Sequence, residues 1–256
     1  MRVEELNVYK LPIQVAAEDL ADSAVIVIDL LRATTTICYA LAAGAKEVVP
    51  FRGIEEAREA ARAAGREHVI LAGERKGLLI EGFDLGNSPA EFTAERIARK
   101  QVLLTTTNGT QALYHARLAR RIIAGAIVNL SAIVASVKDE PKVAIVCAGT
   151  DGQETQEDIL TAGAIVHLLR HTPVSGDLRP NDAAALAENE WSLMQQKAKS
   201  AKRDLREELA IALRDTRGGR NCIEVGNGDD LPDCADIDRF KIVPELDVAK
   251  WRITTR

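Results

Sequence analysis

No segment of the 256 residues is apolar enough to cross a membrane; the run Ala24–Ile28 is stopped by Asp29, far short of the ~20 residues a spanning helix needs. The first ten residues alternate charged and apolar side chains and carry no signal-peptide core. Aromatic residues make up only 4%, there is no long basic run, and the net charge is -5, which together exclude a nucleic-acid scaffold. The four cysteines, Cys38, Cys147, Cys222 and Cys234, form no CxxC pair, so they read as free thiols of a cytoplasmic protein. Neither GxxxxGK[ST] nor GxGxxG occurs, which removes a P-loop and a standard dinucleotide fold. Asp29 lacks a second Asp two residues on, as a dehalogenase-type phosphatase would carry, and Cys147 is followed six residues later by Gln153, not Arg. The four histidines (His68, His115, His167, His171) are read as unclustered, which points away from zinc and towards an oxygen-liganded ion.

What is present is a repeated plan of apolar run, polar loop and Ala/Leu-rich helical pattern. Strands are expected at Ala24–Ile28, Glu47–Phe51, Val69–Ala72, Gln101–Thr105, Ile122–Ala126 and Lys142–Cys147. Helices are expected at Ile37–Ala43, Ile54–Ala64, Gln111–Arg120, Leu130–Val137 and Glu157–Arg170. This alternation implies an α/β fold with a mostly parallel sheet and helices on both faces. The charged stretch 181–216 carries an apolar stripe and is expected as a helical hairpin on the sheet domain, with a dimer-forming or lid element as the alternative. The Asp- and Gly-rich tail Asn221–Val243 is expected to wrap back as loops and an edge strand. No linker divides the chain, so one domain over 1–256 is expected.

In a parallel sheet, functional groups gather where strands end. Asp29 ends its strand directly; a buried carboxylate there needs a partner, either a metal ion or Arg32, unless it only caps the next helix. Thr34-Thr35-Thr36 and Thr105-Thr-Thr-Asn-Gly-Thr110 both offer hydroxyls and free N–H groups at a helix start, which suits a doubly anionic ligand. The similarity of these two segments reads as an internal repeat or as one anion-binding solution reached twice. Arg75 can fork an oxyanion, while Glu74 and Asp84 are hard oxygen donors for magnesium. Asn87-Ser88-Pro89 can equally be a turn and helix start. Glu157 and Asp158, opening a helix after the glycine-bearing loop 148–152, can simply balance its dipole.

Five motifs in order carry a family resemblance: Val27-Ile-Asp-Leu-Leu-Arg-Ala-Thr-Thr-Thr36, Ala72-Gly-Glu-Arg75, Gly82-Phe-Asp-Leu-Gly-Asn-Ser-Pro89, Thr105-Thr-Thr-Asn-Gly-Thr110 and Cys147-Ala-Gly-Thr-Asp-Gly152. With these the chain resembles the 2-phosphosulfolactate phosphatases. The segments 153–161, with Thr161 where a cysteine is expected, and 179–227 match less closely. The resemblance implies a three-layer α/β/α fold with a mixed sheet. It also implies Mg²⁺-dependent hydrolysis of 2-phospho-3-sulfolactate, a step towards coenzyme M in methanogens. On this reading Asp29, Glu74 and Asp84 hold Mg²⁺, and Asp29 and Arg32 are catalytic, Asp29 as nucleophile or base. Thr34, Thr35, Arg75, Asn87, Thr106, Thr107, Asn108, Gly109, Thr110 and Asp151 bind the anionic substrate. Two alternatives stand beside it: a phosphatase for another small phosphorylated hydroxy acid, and a non-catalytic module binding sulfonated or phosphorylated metabolites. A homo-oligomer through the 181–216 helices is a further expectation.

Overall fold

Ala24-Val-Ile-Val-Ile28 is buried at every position because it runs in the middle of the sheet, paired on both sides with parallel strands. A computed structural model describes residues 3–171 and 178–255 of the chain. Its strands are β1 (Glu5–Tyr9), β2 (Ala24–Ile28), β3 (Glu47–Pro50), β4 (Val69–Arg75), β5 (Leu78–Leu79), β6 (Gln101–Thr105), β7 (Arg121–Gly125), β8 (Lys142–Cys147), β9 (Arg179–Pro180), β10 (Pro244–Asp247) and β11 (Arg252–Thr255). The helices are α1 (Ala33–Ala42), α2 (Ile54–Ala64), α3 (Ala94–Ile97), α4 (Gly109–His115), α5 (Leu130–Val137), α6 (Gln156–His171), α7 (Asp182–Ala201), α8 (Leu205–Leu213), α9 (Arg217–Glu224) and α10 (Asp230–Cys234).

All the strands join one mixed sheet in the order β5-β4-β6-β3-β11-β10-β7-β2-β8-β1-β9, with helices packed over it as a three-layer α/β/α arrangement. The pairs β7-β2-β8-β1-β9 are parallel, as are β4-β6-β3. Between these blocks lies the hairpin β10–β11, paired antiparallel to β7 and to β3. Three successive antiparallel pairings set the two blocks in opposite senses. The loops after β2 and β6 nevertheless meet, with Gly109 lying against Asp29 and Ala33.

The tail therefore departs from its expected loops and edge strand. Residues 221–243 hold the end of α9 and all of α10 and no strand, and the hairpin β10–β11 that follows them is central to the sheet. The strand pattern misleads because only Pro244, Leu246 and Ile253 are buried, so each strand looks like a half-wet edge. β1, buried at alternate positions between β8 and β9, also goes unread in the sequence. Three boundaries move towards the site. α1 starts at Ala33, four residues before the expected Ile37, and α4 starts at Gly109 and ends at His115. β4 continues to Arg75, where it pairs with β5. The 181–216 segment forms α7 and α8, capped by Asn181 and Asp204 side chains, with α7 lying along α6. Among the described residues no helix is long and apolar enough to cross a membrane.

Candidate active site

β2 delivers Asp29 into the mouth of a cleft of about 470 Å³. The turn that holds it is closed by its own threonine: Asp29 N–H donates to Thr34 Oγ1 at 3.1 Å, and that hydroxyl donates to the Asp29 carbonyl at 2.9 Å. The carboxylate Oδ1 accepts Ala33 N–H at 3.2 Å. Oδ2 lies against Gly109, where a Cβ would sit 2.6 Å from it, so only glycine lets the loop after β6 approach so closely. Burial pushes the Asp29 carboxyl up to about 7; the Ala33 N–H opposes this, the carboxylates of Glu74 and Glu157 add to it, and Arg32 opposes it.

Glu74, one residue beyond the Gly73–Thr105 pairing of β4 and β6, faces the same cleft. It accepts the N–H groups of Thr107 and Gly77, each at 2.7 Å, and the Thr107 hydroxyl at 3.1 Å. Glu74 thereby ties the 106–110 loop to the turn after β4. Across from it stands Arg32, almost fully buried. Its Nη1 pairs with Asp230 at 2.5 Å and its Nη2 donates to the Gly77 carbonyl at 3.4 Å. With its amide turned to face the guanidinium, Asn227 accepts from both Arg32 nitrogens at 3.0 and 3.3 Å. The partner expected for Asp29, Arg32, is thus paired with Asp230 instead.

The start of α6 closes the back of the site. Asp158 accepts Leu30 N–H at 2.9 Å and Gly149 N–H at 3.0 Å, which ties the ends of β2 and β8 together. Glu157 Oε1 accepts Gly218 N–H at 3.0 Å, while Oε2 is buried with no partner. A Cβ on Gly218 would lie 2.1 Å from Oε1, so α9 meets α6 only through that glycine. Burial raises both carboxyls, and for Asp158 the charges of Asp29 and Glu157 add to it. These two acids do more than balance a helix dipole: they lie buried behind the cleft lining, where the charge of Glu157 acts on Asp29 and that of Asp29 on Asp158.

Of the residues expected in the site, Asp29, Arg32, Glu74, Asn87, Thr107, Asn108 and Asp151 line the cleft. The others do not. Thr34 and Thr35 spend their hydroxyls on the carbonyls of Asp29 and Leu30, fully buried under the turn. Thr106 and Thr110 bond each other across the start of α4. Arg75 binds Thr105 and the Arg52 carbonyl. Asp84 turns away to Arg66 at 2.6 Å and Leu71 N–H at 2.8 Å, outside the cleft. Gly109 acts by closeness, not by contact with a ligand. The cleft also gains Lys76, Asn221, Cys222 and Glu224, three of them from α9. No local signal marks them, since a helix opening Arg-Gly-Gly has poor intrinsic propensity. The histidine expectation fails as well: the His167 and His171 rings lie 4.3 Å apart on α6.

The donor set suits a hard divalent cation. A cation among buried carboxylates relieves their mutual repulsion, and the unpartnered Glu157 Oε2 and Asn87 Oδ1 are hard oxygen donors. The sequence model of the 2-phosphosulpholactate phosphatase family matches residues 9–248. The chain is 37% identical over 242 residues to the "Probable 2-phosphosulfolactate phosphatase" of Caldanaerobacter subterraneus subsp. tengcongensis, covering 94% of this chain and 95% of that protein. Its likeness to the protein of the same name from Symbiobacterium thermophilum is 40% over 229 residues, covering 89% and 93%. With that from Thermotoga maritima it is 39% over 221 residues, covering 86% and 88%.

Proposed function

The chain belongs to the 2-phosphosulfolactate phosphatase family, and we propose that its cleft hydrolyses 2-phospho-3-sulfolactate to 3-sulfolactate and phosphate with Mg²⁺ held by Asp29 and Glu74. The observation that carries this reading is the meeting, in one cleft, of the Asp29 and Glu74 carboxylates and a guanidinium fixed from three sides. Glu157 stands as the third oxygen donor in place of Asp84, because its Oε2 is buried and unpartnered. Mg²⁺ bound there would offset the negative charge of the phosphoryl oxygens.

The chain's own groups do the rest. Arg32 is held by Asp230 and the Gly77 carbonyl, so it meets a phosphoryl oxygen without first losing side-chain freedom. Asn87 and Asn108 offer amides in the same cleft, and Lys76 adds a second cation for the sulfonate or carboxylate. Hydrolysis adds water across the ester: its oxygen joins phosphorus, the P–O bond to the lactate carbon skeleton breaks, and a proton ends on the freed hydroxyl.

The test is phosphate release from 2-phosphosulfolactate with and without Mg²⁺, beside a panel of phosphorylated hydroxy acids. Metal-dependent turnover preferring the sulfonate is expected. Preference for another panel member would move the substrate and keep the chemistry. Binding without turnover by folded protein would instead favour a metabolite-binding module. Association between copies is proposed through α7 and α8, whose Leu186, Leu193 and Ile211 are exposed; a monomer by light scattering at micromolar concentration would remove it.

A further inference from the structure

His167 and His171 stand one turn apart on α6, and α7 directs Glu188 at both. One nitrogen from each ring and one Glu188 oxygen lie within 4.8 Å of one another. The two carboxylate oxygens are divided. Oε2 takes the guanidinium of Arg170, whereas Oε1 faces His167 Nδ1 at 3.6 Å and His171 Nδ1 at 3.8 Å. Those separations are too long for hydrogen bonds. The 3.6 Å between His167 Nδ1 and Glu188 Oε1 approaches the ~3.3 Å that ligands keep around a tetrahedral ion with bonds of about 2.0–2.1 Å; His171, whose Nδ1 is bonded to the His167 carbonyl, has Nε2 as its ligating atom.

Three further features fit an ion better than a salt bridge. Glu188 is 8% exposed, and His167 Nδ1 is buried without a hydrogen-bond partner. His171 Nδ1 donates to the His167 carbonyl at 2.8 Å, which leaves the lone pair on Nε2 and orients the ring as the outer bonds of ligating histidines do.

We propose that His167, His171 and Glu188 bind a transition ion of the zinc class, which pins α6 to α7. Two imidazoles and one carboxylate select such an ion over magnesium, so the site is chemically separate from the oxygen-lined cleft. It is also distant, ten residues along α6 from Glu157, or about 15 Å of helix.

The test is a Zn²⁺ titration of the full chain in excess Mg²⁺, followed by calorimetry and thermal melting. Wild type is expected to take one equivalent, with Tm rising about 5 °C at a hundredfold excess over Kd. His171→Ala and Glu188→Gln are each expected to weaken Zn²⁺ binding on the order of tenfold or more, while Mg²⁺-dependent phosphate release by His171→Ala stays unchanged. If Glu188→Gln fails to fold because its pairing with Arg170 is lost, His171→Ala decides alone, since that side chain is 63% exposed. Equal Zn²⁺ binding by wild type and His171→Ala, or no Zn²⁺ response from wild type, would overturn the proposal.

Discussion

Arg32 and Asp230 form an ion pair of 2.5 Å across 198 positions of sequence, with both side chains almost completely buried. Asp230 also accepts the Ser88 hydroxyl at 2.6 Å, so one carboxylate holds the loop before α3 and the guanidinium of the cleft. Asp230→Ala strands a buried charge. It is expected to cost about 3–5 kcal/mol of stability and to lower kcat/KM on the order of 100-fold, read by denaturant unfolding and steady-state phosphate release. Lost stability with unchanged kcat/KM would leave Arg32 only a structural role.

Asp29→Asn is expected to abolish turnover in a folded protein. Its effect on stability has a defined sign. Burial raises the native carboxyl to about 7, so the folded chain keeps a proton that the unfolded chain releases at lower pH. Without divalent cations the wild type therefore loses stability as pH climbs from about 4 to about 7, by about 4 kcal/mol if Asp29 acts alone. The Asn variant lacks that loss. Urea unfolding in chelator should find the two alike near pH 4 and the variant more stable at pH 8; the reverse order at pH 8 refutes the burial argument.

The same carboxylates make cation binding a competition with protons. Asp29, Glu157 and Asp158 are all raised by burial, so at low pH they hold protons that a cation must displace. The Tm gain on adding Mg²⁺ should be larger at pH 8 than at pH 5, and Glu74→Gln should shrink it at both. A gain independent of pH would place the ion elsewhere.

Gly218→Ala offers a test of the α9 wall. Alanine in a helix ordinarily adds about 1 kcal/mol over glycine. Here its Cβ would lie 2.1 Å from Glu157 Oε1 and push α9 off the cleft. A net loss of about 1–3 kcal/mol is expected, with kcat/KM down on the order of tenfold. A stabilised, fully active variant would mean that α9 is not part of the site.

Legibility in the sequence followed locality. β2, α2, β6 and α5 run as expected because continuous apolar runs or clear amphipathic patterns mark them. The loops bearing Asp29, Glu74 and Thr107 were legible for the same reason, each following a strong strand. What each side chain does in those loops was not. Thr34, Thr35, Thr106 and Thr110 have the chemistry of anion donors, yet the turn claims their hydroxyls first. The α9 residues reach the cleft, and Glu157, Asp158 and Asp230 brace its lining from behind, through long-range packing, which no local pattern encodes. The two histidines show the reverse failure, since their spacing along α6 was visible and only Glu188 on another helix gives it meaning.

The hairpin between β7 and β3 also dictates a timetable. During synthesis β10 and β11 leave the ribosome after all nine other strands, yet they form the bridge between the two parallel blocks. Until then β3 and β7 are open edges, each able to pair with a foreign strand. The sheet is thus zipped from its middle only after its other described strands have been made, and its half-made intermediates are the ones a chaperone would have to guard.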